Sequence, residues 1–392
     1  MTRQDPMGMK SPNTITEPFL MTPELKVPVA DPKPVAMRRR VVVDARMLRF
    51  SGIGVYVENM LKGLRAQNMP FLFAANRWTE EVDGAAPDYD FRARVYSIKE
   101  QIAFKRLGVS ADMVWWSPHY NVPVLHRGRL VTTIHDLAHL ALPQFFGGWK
   151  KKAYSKLMFE AAARKSHSII CVSQFTADEL LRRTSADHRK VHVIHNGLHE
   201  KWFEQLPVER PASRPYILCV GNVKPHKNFQ RLIHAFAKIR ARHDLDLLLV
   251  GRKDGFLAGD CAVLDFAGVP EGRVQFTGHV SDSLLRRYYA HAEALVFPSL
   301  YEGFGFPPLE AMASGCPVVA SNAASIPEIC GDAAIYCDPL SVDDMADKIK
   351  LALGLKGDER LRLLAAGRAH AARFSWKQCA RRSWEILQHA AA

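Results

Sequence analysis

The sequence has no apolar run near the roughly 18 residues that a membrane-spanning helix needs, so no transmembrane anchor is expected. It opens on no basic segment backed by an apolar one, so no secretory signal peptide is expected either. Seven cysteines, at positions 171, 219, 261, 316, 330, 337 and 379, form no CxxC pair and no metal-ligand spacing. Those inside apolar runs, such as Cys171 and Cys219, read as buried reduced thiols of a cytoplasmic protein. GxxxxGK is absent, which excludes a P-loop kinase, and His199-Glu200 lacks the second histidine of HExxH. Gly52-Ile53-Gly54 lacks the third glycine of a dinucleotide fingerprint. Two DxD triplets occur. Asp88-Tyr89-Asp90 sits in a polar stretch with no preceding strand, and Asp244-Leu245-Asp246 at the amino end of one, the wrong end for a ligand. No bound metal is expected.

What is present describes a globular chain of two domains. The 392 residues exceed one ordinary core, with 48% hydrophobic and 24% charged residues. The net charge of +13 is partly concentrated: Trp149–Lys190 holds ten Lys or Arg against four Asp or Glu. Such a surface suits nucleic acid, an anionic membrane face or phosphate-bearing substrates. No nucleic-acid motif accompanies it, so no nucleic-acid partner is expected. A cytoplasmic protein, peripheral at the inner face of the membrane, fits the composition.

Residues 1–37, polar and proline-rich, read as a disordered leader. From Val41 short apolar runs alternate with amphipathic stretches. Strands are expected at Val41–Asp44, Phe71–Ala74, Val114–Trp116, Leu130–His135, Ser168–Val172 and Val191–Ile194. A second set is expected at Tyr216–Gly221, Leu245–Gly251, Val274–Phe276, Ala294–Phe297, Pro317–Ala320 and Ala334–Cys337. Continuous apolar strands separated by helix-length segments indicate buried parallel sheets. The fold class is therefore α/β: two doubly wound Rossmann-like domains, 38–203 and 216–373, facing each other across a cleft. Residues 204–215 act as hinge and 374–392 as a final helix crossing back to the first domain.

In such sheets ligands bind beyond the carboxyl ends of the strands. The loop there that stands out runs from Pro298 to Glu310, Pro-Ser-Leu-Tyr-Glu-Gly-Phe-Gly-Phe-Pro-Pro-Leu-Glu. Two glycines tighten it, and Pro307-Pro308 suit a helix's first turn. The backbone N–H groups around Phe304, Gly305 and Phe306 would then face outward at a helix amino terminus, an arrangement that binds a diphosphate. Glu302 and Glu310 bracket it as acceptor-only carboxylates suited to sugar hydroxyls.

Glu302-x7-Glu310 resembles the EX7E signature of retaining GT-B enzymes, glycosyltransferase family 4. Further blocks in order resemble the same family: Val41–Arg46 with Phe50–Gly54, Leu130–Asp136, Val172–Leu180, Val193–Leu198, Val220–Asn228 and Ser325–Ala334. The resemblance implies that Glu302 contacts the donor sugar and Glu310 the ribose, while the Lys227 ammonium neutralises the leaving diphosphate. His226 stands where relatives place an arginine. Asn222 takes the position of a second phosphate ligand, with Lys224 as a weaker substitute. Gly52 and Gly54 match a loop whose backbone approaches the phosphates, where a side chain would clash. His135 matches a histidine facing the donor sugar, with Asp136 beside it, and His119 is a weaker second candidate. The implied function is mannosyltransferase-like transfer from a nucleotide sugar, GDP-mannose first and UDP-sugars next, to a glycan or lipid-linked acceptor in polysaccharide assembly. Other readings remain open: a non-hydrolysing nucleotide-sugar epimerase on the same fold, or a basic nucleic-acid- or nucleotide-binding protein without catalysis.

Overall fold

The computed structural model describes residues 40–48, 51–76, 84–145, 148–204, 209–240, 243–252, 264–266 and 268–392. The expected leader and Cys261 lie outside these residues; the six described cysteines are free and buried.

The first half runs β1 (Val41–Asp44), α1 (Ser51–Ala66), β2 (Phe71–Ala75), β3 (Tyr89–Asp90), α2 (Ile98–Arg106), β4 (Val114–Ser117), β5 (Arg129–Ile134), α3 (Ala138–Ala141), α4 (Trp149–Lys165), β6 (Ser168–Cys171), α5 (Gln174–Arg183) and β7 (Val191–Val193). Its strands stand in the order β3-β2-β1-β4-β5-β6-β7. The second half runs β8 (Tyr216–Val220), α6 (Phe229–Ile239), β9 (Asp246–Val250), β10 (Val274–Gly278), α7 (Asp282–His291), β11 (Ala294–Phe297), α8 (Phe306–Ala313), β12 (Val318–Ser321), α9 (Ile326–Cys330), β13 (Ile335–Cys337), α10 (Val342–Gly354), α11 (Gly357–Ala371) and α12 (Trp376–Ala391). Its order is β10-β9-β8-β11-β12-β13.

Neighbouring strands in both sheets pair in parallel. β1, β4, β6, β9, β11 and β12 bury every residue, as parallel strands covered by helices on both faces do. Tyr89 and Asp90 of the first DxD triplet form a two-residue strand that the sequence did not indicate. Asp88 accepts the Phe73 amide (2.9 Å), and Tyr89 and Asp90 pair with Ala74 and Ala75 as the sheet edge. In the other triplet, Asp244 and Asp246 lie at the amino end of β9 and face Arg273.

Two chain segments join the halves side by side. The Leu198 amide donates to the Phe374 carbonyl (3.0 Å), and a Cβ on Gly197 would lie 2.0 Å from the Trp376 nitrogen, so only glycine allows the approach. Beyond that crossing, α12 buries Cys379, Ala380, Trp384 and Leu387 in the core of the first half with Tyr56, Leu61 and Trp116. In each sheet the strand order reverses beside its first strand, between β1 and β4 and between β8 and β11. Those reversals open the crevices where doubly wound folds take ligands.

Candidate functional site

At the reversal of the second sheet, the loops after β8 and β11 are bound to each other. Asn228, left-handed at φ 63°, donates through Nδ2 to the Pro298 and Pro339 carbonyls (3.0 and 2.7 Å). The Leu300 amide donates to the His226 carbonyl (2.8 Å). This frame delivers Lys227 to Glu302, with Nζ 2.5 Å from Oε1 and the two side chains 18% and 15% exposed. Burial pushes the Glu302 carboxyl up, but the Lys227 ammonium, together with His226 and Ser299 beside it, holds the group below its usual range. Glu302 is therefore an anion at neutral pH.

Eight residues on, Glu310 occupies the opening turns of α8, which starts at Phe306 with Pro307 and Pro308 next. Gly305, at φ 120°, takes a conformation that side-chain-bearing residues rarely adopt. Glu310 accepts a hydrogen bond from the Tyr289 hydroxyl (2.8 Å). Burial pushes its pKa up to about 7 despite that bond, so it exchanges a proton near neutrality.

Facing this wall are residues of the first half. His135 directs Nε2 at the Pro118 carbonyl (2.9 Å), and its ring packs edge-on against Tyr56 at 4.8 Å. Burial lowers its pKa to about 4, so the ring is neutral. A carbonyl can only accept, which puts the proton on Nε2 and leaves Nδ1 as an acceptor. A Cβ on Gly303 would fall 1.7 Å from the His135 carbonyl oxygen, so this glycine is what lets the halves meet. Asp136 accepts the Ala138 amide (2.9 Å). His119 is fully buried, taking the Asn121 amide on Nδ1 (3.1 Å) with Nε2 3.5 Å from Asp44, and so supports the loop from within.

The remaining predicted residues divide. Lys224 lies half-buried near Lys227, Asp136 and Glu302; burial and the neighbouring ammonium lower its pKa. His226, beside Lys227, is brought down to about 4 chiefly by burial, so it supplies no charge in place of an arginine. Asn222 accepts the Arg252 amide through Oδ1 (3.1 Å), tying the β8 and β9 loops. Gly52 and Gly54 are corrected from loop to the first turn of α1. A Cβ on Gly54 would meet the chain's own Leu48 carbonyl at 2.5 Å, so glycine there is required by the fold itself, and Gly52 faces open space.

Several residues at the site carry no assignment from the sequence. Ser173 and Thr176 tie the Gly303 carbonyl to the first half, Ser325 holds the same loop from within the second half, and Glu328 meets the first half at α5 and His195. Ser325 and Glu328 lie inside a block quoted above, and Ser173 precedes an amphipathic helix as an N-cap should, but only the fold brings them together. Tyr96, 41% exposed at φ 66°, lies near Tyr120 and His119 (ring centroids 5.5 and 6.3 Å) on the first half's side. At the surface, α4 presents Trp149 (76% exposed) beside exposed Lys150, Lys151 and Lys152, and Leu157 one side over.

The arrangement offers the Lys227 ammonium with Lys224 nearby, a helix amino terminus, one fixed carboxylate and one titrating carboxyl. That set fits an anion adjoining hydroxyl-rich groups. Among the described residues no cluster of three His, Cys, Asp or Glu could hold a metal ion. No described helix is long and apolar enough to cross a membrane.

Residues 50–202 match Glycosyltransferase Family 4 and residues 214–354 match Glycosyl transferases group 1. The O-antigen chain mannosyltransferase B of Escherichia coli is 31% identical over 281 residues, 68% of this chain and 72% of its own. An O-antigen chain mannosyltransferase of Salmonella typhimurium is 30% identical over 224 residues, 56% of this chain and 59% of its own. Among solved structures, a sucrose-phosphate synthase from Thermosynechococcus elongatus superposes with a TM-score of 0.74 at 20% identity, covering 89% of this chain and 98% of that one. That likeness establishes a shared GT-B fold.

Proposed function

The chain belongs to glycosyltransferase family 4, and from that premise we propose that it moves mannose from GDP-mannose to a glycan or lipid-linked acceptor, with retained anomeric configuration and without a metal. Its relatives are transferases, and the epimerase reading is set aside. Mannose is favoured because the relatives at 30–31% identity are named mannosyltransferases; UDP-sugars are the next donors to test.

The observation that carries the reading is the Lys227–Glu302 pair beside the amino terminus of α8. The bond from the anomeric carbon to the diphosphate oxygen breaks, and its electron pair leaves with the diphosphate. Lys227 and the amides of Phe304, Gly305 and Phe306 stabilise that charge, fixed in place before the reaction begins. Glu302, an anion, accepts from hydroxyls of the transferred sugar, and His135 accepts another on Nδ1. Glu310 takes the ribose diol. The acceptor hydroxyl attacks the anomeric carbon from the face the diphosphate leaves, and its proton passes to the departing phosphate oxygen. Lys224 lies close enough to Lys227 to share the diphosphate; Asn222, holding the next loop, shapes the pocket instead.

On the first half, Tyr96, Tyr120 and Asp136 offer flat rings and a carboxylate to a glycan acceptor. The Trp149–Lys152 surface fits an anionic membrane, where an interfacial aromatic and three lysines add attraction of about 1 kcal/mol per cation. This supports a peripheral enzyme on the cytoplasmic side, with a lipid-linked acceptor and no nucleic-acid partner.

Thermal shift with GDP, UDP, ADP and dTDP tests the donor, since a ligand of the native state raises its melting temperature. GDP should raise it most. A larger shift with UDP would replace mannose by a UDP-linked sugar, and no shift with any diphosphate would refute the donor site.

A further inference from the structure

The two halves meet behind the reactive loop, at the amino terminus of α5. Ser173 Oγ donates to the Gly303 carbonyl at 2.6 Å, and Thr176 Oγ1 reaches the same oxygen at 3.2 Å. From the other side, Ser325 Oγ lies 3.0 Å from the Glu302 carbonyl and 2.8 Å from that of Phe304. Three successive carbonyls are thus held by hydroxyls. In a planar trans peptide the N–H of the next residue points opposite to the carbonyl. Holding the carbonyls of 303 and 304 therefore fixes which way the amides of Phe304 and Gly305 face.

Three residues past Ser325, Glu328 crosses to the first half. Its carboxylate accepts the amides of Gln174 (2.7 Å) and Phe175 (3.0 Å), the first two residues of α5, and meets His195 Nε2 at 2.7 Å. Unpaired amides and the positive end of the dipole favour a carboxylate at that position. Burial raises the Glu328 carboxyl, yet His195 and the two amides hold it below its usual range, so the contact is made by an anion. α5 belongs to the first half, whereas the proposed diphosphate ligands lie on the second. A single helix terminus thereby grips the second half at two places, Gly303 and Glu328.

We propose that Ser173, Thr176 and Glu328 are positioning residues for sugar transfer: docking of the α5 amino terminus onto the 302–304 loop turns the Phe304 and Gly305 amides to the diphosphate. Departure of the leaving group is thereby coupled to closure of the two halves. The inference rests on the donor reading of the same loop. It separates turnover from binding, because the free nucleotide still finds Lys227 and Glu310 when the halves part.

Glu328→Gln, Ser173→Ala and Ser173→Thr test it in the full-length protein, with GDP affinity read by calorimetry and GDP-mannose hydrolysis read at saturation without acceptor. Losing charge-assisted bonds in Glu328→Gln should lower the hydrolysis rate by about tenfold or more. Its GDP dissociation constant should stay within about threefold, since Lys227 and Glu310 are untouched, while its melting temperature should fall modestly with the lost charge-assisted bonds. Ser173→Ala should behave alike, and Ser173→Thr, which keeps the hydroxyl, should restore the rate. Unchanged hydrolysis in Glu328→Gln overturns the proposal. So does a loss of rate matched by an equal loss of GDP affinity, or Ser173→Thr failing as Ser173→Ala does. A parent protein that binds neither GDP nor UDP sinks the donor reading instead, and the positioning role with it.

Discussion

Replacing Lys227 by methionine removes a charge from a pair whose side chains are 18% and 15% exposed. The pair is open enough to the cleft to escape the full cost of breaking a buried ion pair, about 3–5 kcal/mol. A loss of about 1–3 kcal/mol is expected, because Glu302 is left as an unpaired carboxylate. Turnover should fall more steeply, by about 100-fold or more, as for loss of one preorganised electrostatic group. The two effects separate in the double variant Lys227→Met with Glu302→Gln. There no charge is stranded, so stability should return to within about 1 kcal/mol of the parent, while turnover stays low. The sign with pH is also fixed. The Glu302 carboxyl is held below its ordinary 4.5 in the parent. Its contribution is present above that value and lost as pH falls through the lowered one. In Lys227→Met the carboxyl loses its partner, so acid should relieve the deficit rather than add to it. Urea melts across pH 4–7 and GDP-mannose turnover at saturating donor measure both quantities. Recovery of turnover along with stability in the double variant would make Lys227 a structural counter-ion and refute the mechanism.

Glu310 should make nucleotide binding pH-dependent: its pKa of about 7 means that raising pH from 6 to 8 ionises it, and GDP affinity should rise as the ribose diol gains a charged acceptor. Calorimetry on the parent and on Glu310→Gln checks this; a parent and variant with parallel pH profiles would remove Glu310 from the ribose. Turnover should survive EDTA, with the three-ligand clusters absent among the described residues as the motivation, and abolition by EDTA with restoration by magnesium would contradict it. The protein should sediment with vesicles containing phosphatidylglycerol more than with neutral ones, and replacing Lys150, Lys151 and Lys152 by glutamine should remove the difference; equal binding to both vesicle types would count against the membrane face.

The strands were legible because parallel strands buried on both faces are written as unbroken apolar runs, as Val41–Val43 and Ala294–Phe297 are. Glu302 and Glu310 stood out because they bracket the loop after such a strand, whereas Lys227 came forward only through the family resemblance. The β3 edge was not, since two residues carry no periodicity and their pairing follows from Asp88 capping the Phe73 amide. The contacts of Ser173 and Glu328 were not legible for another reason: their partners lie 130 and 154 positions away in sequence. His226 illustrates a third limit. Its place beside Lys227 suggests a second cation, whereas burial, seen only in the fold, keeps it neutral.

The central claim is that this cleft transfers a hexose with retention, on charges supplied by Lys227 and the Phe304, Gly305 and Phe306 amides. The measurement that tests it most directly is nuclear magnetic resonance of the product formed from GDP-α-mannose and a mannoside acceptor, reading the one-bond carbon–proton coupling at the new anomeric centre. The account predicts an α-linked product whose formation collapses in Lys227→Met. A β-linked product, or an α-linked one formed at undiminished rate by Lys227→Met, would contradict it.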